Sequence, residues 1–215
     1  MRKDLVIVTA DQDAEFTVRR LLQRDLWHFN IGPFTADVIR HPGRDSGCRV
    51  RCKDLLRDMQ QSYQKAIVLF DFEGCEPPRG HTKQRVAQDV TAELSANGWA
   101  DRCRVILIDP ELENWIWMRS DRMAQAIRWS GAQELYGWLE ERQLVGADQA
   151  KPPRPKESLH RVLRQRQIRP SASQFDAIAQ VAPLRQCTDP AFLDLIGTLA
   201  TWFPLLTDTE DGQTR

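Results

Sequence analysis

Short apolar runs alternate with amphipathic stretches along the first half of the chain. Leu5–Ala10 reads as a strand, and Ala14, Val18, Leu21, Leu22 and Leu26 then recur at helical spacing. Thr35–Arg40 is the next strand candidate, followed by a helix-compatible stretch from Cys48 to about Tyr63. Ala66–Asp71 is a third strand. A loop marked by Gly74 and Gly80 leads to a helix over Thr82–Asn97 with Gly98 as its stop, and Cys103–Asp109 is a fourth strand. Strands separated by helices require crossover connections, so the pattern predicts an α/β fold with a mostly parallel sheet flanked by helices.

Beyond Asp109 the pattern turns helical. Glu111–Trp117, Asp121–Trp129, Gln133–Leu144, Lys156–Gln167, Ser173–Val181 and Asp189–Trp202 all carry helical spacing. This predicts an α/β domain over residues 1–118 and an all-helical C-terminal extension over 119–215. Pro152, Pro153 and Pro155 make an extended linker between two helical groups, because each ring fixes its own φ and steers the preceding residue away from helix. The polar, acidic stretch after Pro204 is expected to fray.

Composition adds exclusions more than assignments. The 215 residues carry 30 Lys+Arg against 30 Asp+Glu, and 41% are hydrophobic, which suits a globular chain and excludes disordered, collagen-like and coiled-coil classes. The longest apolar runs, Ala66–Phe70 and Val105–Ile108, fall far short of the roughly 20 residues that span a bilayer. With Met1-Arg2-Lys3-Asp4 leading straight into a strand, a soluble cytoplasmic protein is expected. The 5 cysteines form no pair of CxxC motifs, so reduced, buried thiols are the default. Zinc held by Cys48, Cys52 and His41 lacks an obvious fourth ligand. A GxxxxGK[ST] loop, GxGxxG, GxSxG and HExxH are all absent, which withdraws the usual support for nucleotide triphosphatase, dinucleotide, serine hydrolase and zincin readings.

The chemistry-bearing residues cluster where strands end, the edge at which open parallel sheets bind ligands. Asp11, Asp13 and Glu15 follow the first strand; Asp71 and Glu73 end the third; Asp109, Glu111 and Glu113 follow the fourth. In a strand-like Asp-x-Glu both carboxylates share a face, so Asp71 and Glu73 are expected to bind one cation together. Converging carboxylates repel unless a cation neutralises them, and an all-oxygen ligand set suits Mg²⁺ or Mn²⁺. The plainer alternative is helix capping, which fits Asp11 before Ala14 and Asp109 before Pro110. Trp115 and Trp117 are expected to pack in the core and aim Glu113 at the crevice. His41 is a candidate base and Arg44 a phosphate clamp, unless Pro42-Gly43 simply turns the chain and Asp45 with Ser46 caps the next helix.

Zero net charge hides a local excess. Residues 151–169 hold seven Lys/Arg against Glu157 alone. On a helix starting at Lys156, Leu159, Val162 and Leu163 share one face, which leaves Arg161 and Arg164 opposite with Arg154 just upstream. That face is either solvated or offered to a polyanion, with nucleic acid the expected partner.

Taken together, the acid after strand one, Asp71-Phe72-Glu73 and the Glu113-Asn114-Trp115 phrase resemble the Toprim-like proteins of bacterial anti-phage defence loci. The phrases Ala10-Asp11 to Glu15, His41-Pro42 to Arg44-Asp45, Phe70 to Cys75, Asp109-Pro110-Glu111-Leu112-Glu113, Arg154-Pro155-Lys156-Glu157 and Cys187-Thr188-Asp189-Pro190-Ala191-Phe192 resemble a subfamily associated with methylation-associated defence systems. The resemblance implies a Toprim-like, Rossmann-like sheet that binds Mg²⁺. Asp11 or Glu15 would stand for that family's first glutamate, and Asp71 with Glu73 for its Asp-x-Asp pair. The expected activity is a Mg²⁺-dependent nuclease. Asp11, Asp71, Glu73, Glu113 and His41 would serve catalysis, Asp11, Glu15, Asp71, Glu73, Glu111 and Glu113 the metal, and Arg44, Arg154, Arg161 and Arg164 the nucleic acid. The alternatives are a non-catalytic scaffold subunit docking other defence proteins, or a small-molecule phosphohydrolase or nucleotide sensor.

Overall fold

A computed structural model describes residues 2–206. Four strands, β1 (Lys3–Thr9), β2 (Ala36–Arg40), β3 (Tyr63–Asp71) and β4 (Cys103–Ile108), form one sheet in the order β2-β1-β3-β4, and every pairing is parallel. The strands read as continuous apolar runs because both faces of the sheet are covered. Leu5 and Ile7 of β1 point into one core while Val6 and Val8 point into another, and the same alternation runs through Ala66–Phe70. The α/β, Rossmann-like class expected from the sequence is the one observed.

The connecting helices are α1 (Gln12–Leu22), α2 (Arg44–Arg57) and α3 (Lys83–Leu94). Helix α1 starts where the Asp11 carboxylate accepts the Ala14 N–H at 2.9 Å, and it buries Ala14, Val18 and Leu21 against one face of the sheet. Helices α2 and α3 cover the other face with Cys48, Cys52, Leu56, Val86, Val90 and Leu94. Gly98 is the expected stop after α3: it takes φ +84°, a conformation that a Cβ disfavours, within a wide turn over Ser95–Trp99. β3 starts three residues earlier than its apolar run, since backbone pairing of Tyr63 with Lys3 carries the ladder through polar side chains.

After β4 come α4 (Glu113–Ile116), α5 (Asp121–Ala126), α6 (Ala132–Glu141), α7 (Pro155–Gln165), α8 (Ala172–Val181) and α9 (Pro190–Trp202). The expected division at residue 118 does not separate two cores. Ala191, Phe192, Leu195, Ile196 and Leu199 of α9 pack with Leu5, Ile7, Ile67 and Ile106 on the α1 face, so the last helix completes the layer that covers the sheet. A third cluster joins Ile116 and Trp117 to Leu135, Leu139, Leu159, Val162, Phe175 and Ile178 of α6–α8. Arg20 of α1 grips Asp176 of α8 through two bonds of 2.8 and 2.6 Å, and Arg24 donates to the Ala179 and Ala182 carbonyls. The helical part is thereby fastened to the sheet from both ends. Among the described residues no helix is long and apolar enough to cross a membrane. The acidic stretch expected to fray, after Leu206, lies outside the described residues.

Candidate functional site at the strand-order reversal

β1 lies between β2 and β3, so the direction of winding reverses between β1 and β3, and the crevice beyond their carboxyl ends is where such folds bind ligands. Asp11 follows β1 and Asp71 ends β3, one on each side of that reversal. Asp45, in the first turn of α2, reaches across: its Oδ1 accepts the backbone N–H of Asp71 at 2.8 Å. Gly74 packs so closely on Asp45 that a Cβ there would lie 2.8 Å from the carboxylate carbon. Glu111 and Glu113 enter from the segment after β4.

The electrostatics are dominated by excess negative charge. Burial holds the Asp71 carboxyl well above the usual carboxylate range, and the carboxylates of Asp45, Glu113 and Asp11 push it the same way against Lys156. Its carboxylate accepts no hydrogen bond among the described residues. Glu113 has a side chain only 3% exposed, and burial pushes it up to about 7, with Lys156 opposing. Burial likewise raises Asp45 and Asp13, each with a contribution from Asp11. The facing ammonium is Lys156 on α7, whose Nζ lies 3.9 Å from Glu113 Oε1.

Residues 111–117 are the hub that builds this arrangement. Trp115 and Trp117 are buried at 1% and 0% exposure, as expected of residues that aim Glu113. The Trp115 indole and the Asn114 amide both donate to Asp189, the cap of α9. The Trp117 indole donates to the Pro155 carbonyl at 2.8 Å, Lys151 Nζ to the Asn114 carbonyl at 2.6 Å, and the Lys156 N–H to Glu111 Oε2 at 3.1 Å. One short segment therefore fixes both Glu113 and the helix that carries Lys156.

Of the expected metal ligands, Asp11, Asp71, Glu111 and Glu113 come together, with Asp11 also capping α1 and Glu111 also holding the start of α7. Glu73 does not. β3 ends at Asp71 and Glu73 sits exposed in the following turn, so the period-two alternation that would align the pair stops two residues short. Glu15 is drawn away by Arg19, at 2.8 Å one helical turn on.

His41 is 5% exposed, accepts the Gly43 N–H on Nδ1 at 3.0 Å and lies under Gly47, where a Cβ would come within 2.3 Å of the ring. Burial pushes it down and keeps it neutral, as part of the β2–α2 turn rather than a base facing the acids. Ser46 only approaches the Gly43 carbonyl and Asp45 bonds to Asp71, so neither caps α2 as the simple turn reading expected. Asp109 is exposed, 3.6 Å from Lys83. Cys48 and Cys52 are buried neutral thiols, the latter pushed up to about 12 by burial.

Arg44 and Arg164 are exposed and their side chains have no ion-pair or hydrogen-bond partner among the described residues, whereas Arg154 and Arg161 share Glu157 at 3.3 and 2.6 Å. Asp45, Asp13 and Lys156 were not picked out as site residues by sequence reasoning. The one available signal was that Asp45 follows the second strand within five residues, at the start of α2.

The donors of the crevice are all oxygens, which fits a hard divalent ion in kind. Among the described residues, however, no group of three or more His, Cys, Asp or Glu stands close enough together to hold an ion by protein ligands alone. No family model, no curated protein and no solved structure matches the chain.

Proposed function

We propose that this protein is a Mg²⁺- or Mn²⁺-dependent nucleic-acid phosphodiesterase of a prokaryotic anti-phage defence system. The observation that carries the reading is the gathering of Asp11, Asp45, Asp71 and Glu113 at the strand-order reversal with Lys156 as the facing cation. Ionised together in a partly buried crevice these carboxylates would repel one another, and either protons, which their raised values favour, or a cation relieves that cost. With too few protein ligands for a closed cage, the ion would be held by Asp71 and Glu113, with water and substrate phosphate completing its shell, which is the usual habit of Mg²⁺. When bound, it would supply Lewis-acid polarisation of the phosphodiester.

The chain's own residues do the rest. Asp45 keeps the end of β3 in place through the Asp71 amide, and the Trp115 and Trp117 anchors hold Glu113 rigid. Arg44 and Arg164, free of internal partners, take the nucleic-acid backbone, with Arg154 and Arg161 as a second rank. The defence context comes from the sequence resemblance to Toprim-like defence proteins.

The test is cleavage of labelled single-stranded and double-stranded DNA and RNA in Mg²⁺, Mn²⁺ and EDTA. Metal-dependent cleavage abolished by Asp71→Asn supports the reading, and cleavage retained in that variant removes Asp71 from it. A second reading, a non-catalytic scaffold subunit, is favoured by one observation: Asp11, Glu15 and Glu111 are all engaged in structural bonds. Absence of both cleavage and metal binding in the wild type selects the scaffold.

A further inference from the structure

A cavity at the far end of α1 carries charge of the opposite sign to the crevice. Its volume is about 560 Å³, in the range that holds a small organic ligand, and it is framed by the end of α1, the helical turn Trp27–Phe29 and the turn Leu184–Gln186. Leu21, Leu26 and Leu184, buried in the core that covers the sheet, make its floor, with Phe29 packed beside them. Arg24, Arg185 and His28 are the basic residues of its lining. Arg20, one helical turn before Arg24, is neutralised by Asp176, whereas Arg24 is paired with no carboxylate among the described residues. Its Nη1 donates to the Ala179 and Ala182 carbonyls at 2.9 and 2.7 Å, which fixes the guanidinium at the end of α8 and leaves the N–H groups of Nε and Nη2 without an acceptor. Neither of those nitrogens is sealed in the core. Burial acts against the charge of Arg24 and no acid offsets it. Arg185 is exposed, and its side chain has no partner among the described residues. Asp25 is the acid of the lining, so the two guanidiniums leave one positive charge in excess, while burial and Arg185 hold His28 down and neutral.

We propose that this cavity binds a small organic carboxylate with an apolar body: the Nε–Nη2 edge of Arg24 takes both carboxylate oxygens side-on, Arg185 adds attraction from the rim, and Leu21, Leu26, Phe29 and Leu184 receive the hydrocarbon. The free edge of Arg24 presents two parallel N–H groups, which is the arrangement that matches a carboxylate. One positive charge in excess suits a monoanion better than a phosphomonoester, which carries about two negative charges. The site is separate from the acidic crevice. Asp11 caps the start of α1 and Arg24 lies just past its end, so roughly 20 Å stands between them at 1.5 Å of rise per residue. The proposal therefore stands independently of the metal and of the phosphodiesterase reading.

The experiment uses the full chain in EDTA and without nucleic acid, so the outcome of the nuclease assay does not bear on it. Binding of 1-naphthoate and of decanoate is read by calorimetry, beside the uncharged 1-naphthamide and 1-naphthyl phosphate. The proteins are wild type, Arg24→Gln, Arg24→Lys and Arg185→Gln, matched for folding by circular dichroism. The wild type is expected to bind at least one of the two carboxylates at a single site, and 1-naphthamide about tenfold more weakly. Arg24→Gln is expected to lose about tenfold in carboxylate affinity, and Arg24→Lys most of that, because an ammonium lacks the two-pronged edge. Arg185→Gln is expected to lose about threefold; it breaks no internal bond and so keeps the test decisive if an Arg24 variant does not fold. Equal binding of 1-naphthoate and 1-naphthamide would overturn the proposal in favour of a plain apolar pocket, and tighter binding of 1-naphthyl phosphate would overturn it in favour of a phosphomonoester site. Carboxylate binding that neither Arg24→Gln nor Arg185→Gln weakens, or no binding of either carboxylate by the wild type, would overturn it outright.

Discussion

The Asp189 carboxylate accepts the Trp115 indole N–H at 3.0 Å across 74 residues of sequence. The same carboxylate takes the Asn114 amide and the backbone N–H groups of Ala191 and Phe192, at 2.9 and 3.2 Å for the latter two. A single buried acid therefore caps α9 and fixes the segment that presents Glu113. The cap belongs to a helix that packs in the sheet's own core, so the segment that presents Glu113 is tied to that core through Asp189.

Asp189→Ala is expected to cost about 2–4 kcal/mol, since it removes a helix cap and leaves a buried indole N–H unsatisfied. Urea unfolding followed by tryptophan fluorescence measures it. A loss below 0.5 kcal/mol, on the order of an ordinary surface substitution, would contradict this role.

Glu113 links stability to pH. Its folded value of about 7 lies above the ordinary 4.5, so the folded chain retains a proton that the unfolded chain has released between those values. Stability therefore falls as pH rises through that window, and the penalty is complete above about 7. In EDTA, Glu113→Gln is expected to be more stable than wild type by about 1–3 kcal/mol at pH 8 and nearly equal to it at pH 4. A difference that does not change with pH would show that burial does not hold the proton on Glu113.

Gly47 faces His41 at a distance that leaves no room for a methyl group, with a Cβ only 2.3 Å from Nδ1. Gly47→Ala must displace the ring or tilt α2, at about 1–3 kcal/mol. Thermal unfolding of this variant checks the packed, non-catalytic placement of His41, and an unchanged midpoint would contradict it.

The exposed arginines predict a salt signature. Nucleic-acid affinity is expected to fall steeply with ionic strength, and Arg164→Gln and Arg44→Gln are each expected to lower the log–log slope by about one. Arg161→Gln is expected to lower it less, because Glu157 already neutralises that guanidinium. A flat salt response in the wild type would leave these charges as solvated surface.

Much of this was legible from spacing alone. Uninterrupted apolar runs such as Ala66–Phe70 mark strands covered on both faces, and the acids at or shortly after their ends, Asp11, Asp71 and Glu113, follow from them. Glu73 failed because alternation holds only while the strand lasts, and a sequence does not state that β3 stops at Asp71. Asp45 and Lys156 were obscured for a different reason. Each belongs to the site through a tertiary bond, from Asp45 to the Asp71 amide and from Lys156 to Glu111, and local propensity carries no trace of such partners. The place of α9 was hidden similarly, since its helical spacing reveals an apolar face but not the sheet against which that face packs.

The most direct measurement is Mn²⁺ calorimetry on the wild type and on an Asp71→Asn/Glu113→Gln double variant, both shown to be folded by circular dichroism. Saturable binding in the wild type that disappears in the variant is the predicted result. No binding in the wild type, or equal binding in both, would contradict a metal site at the strand-order reversal.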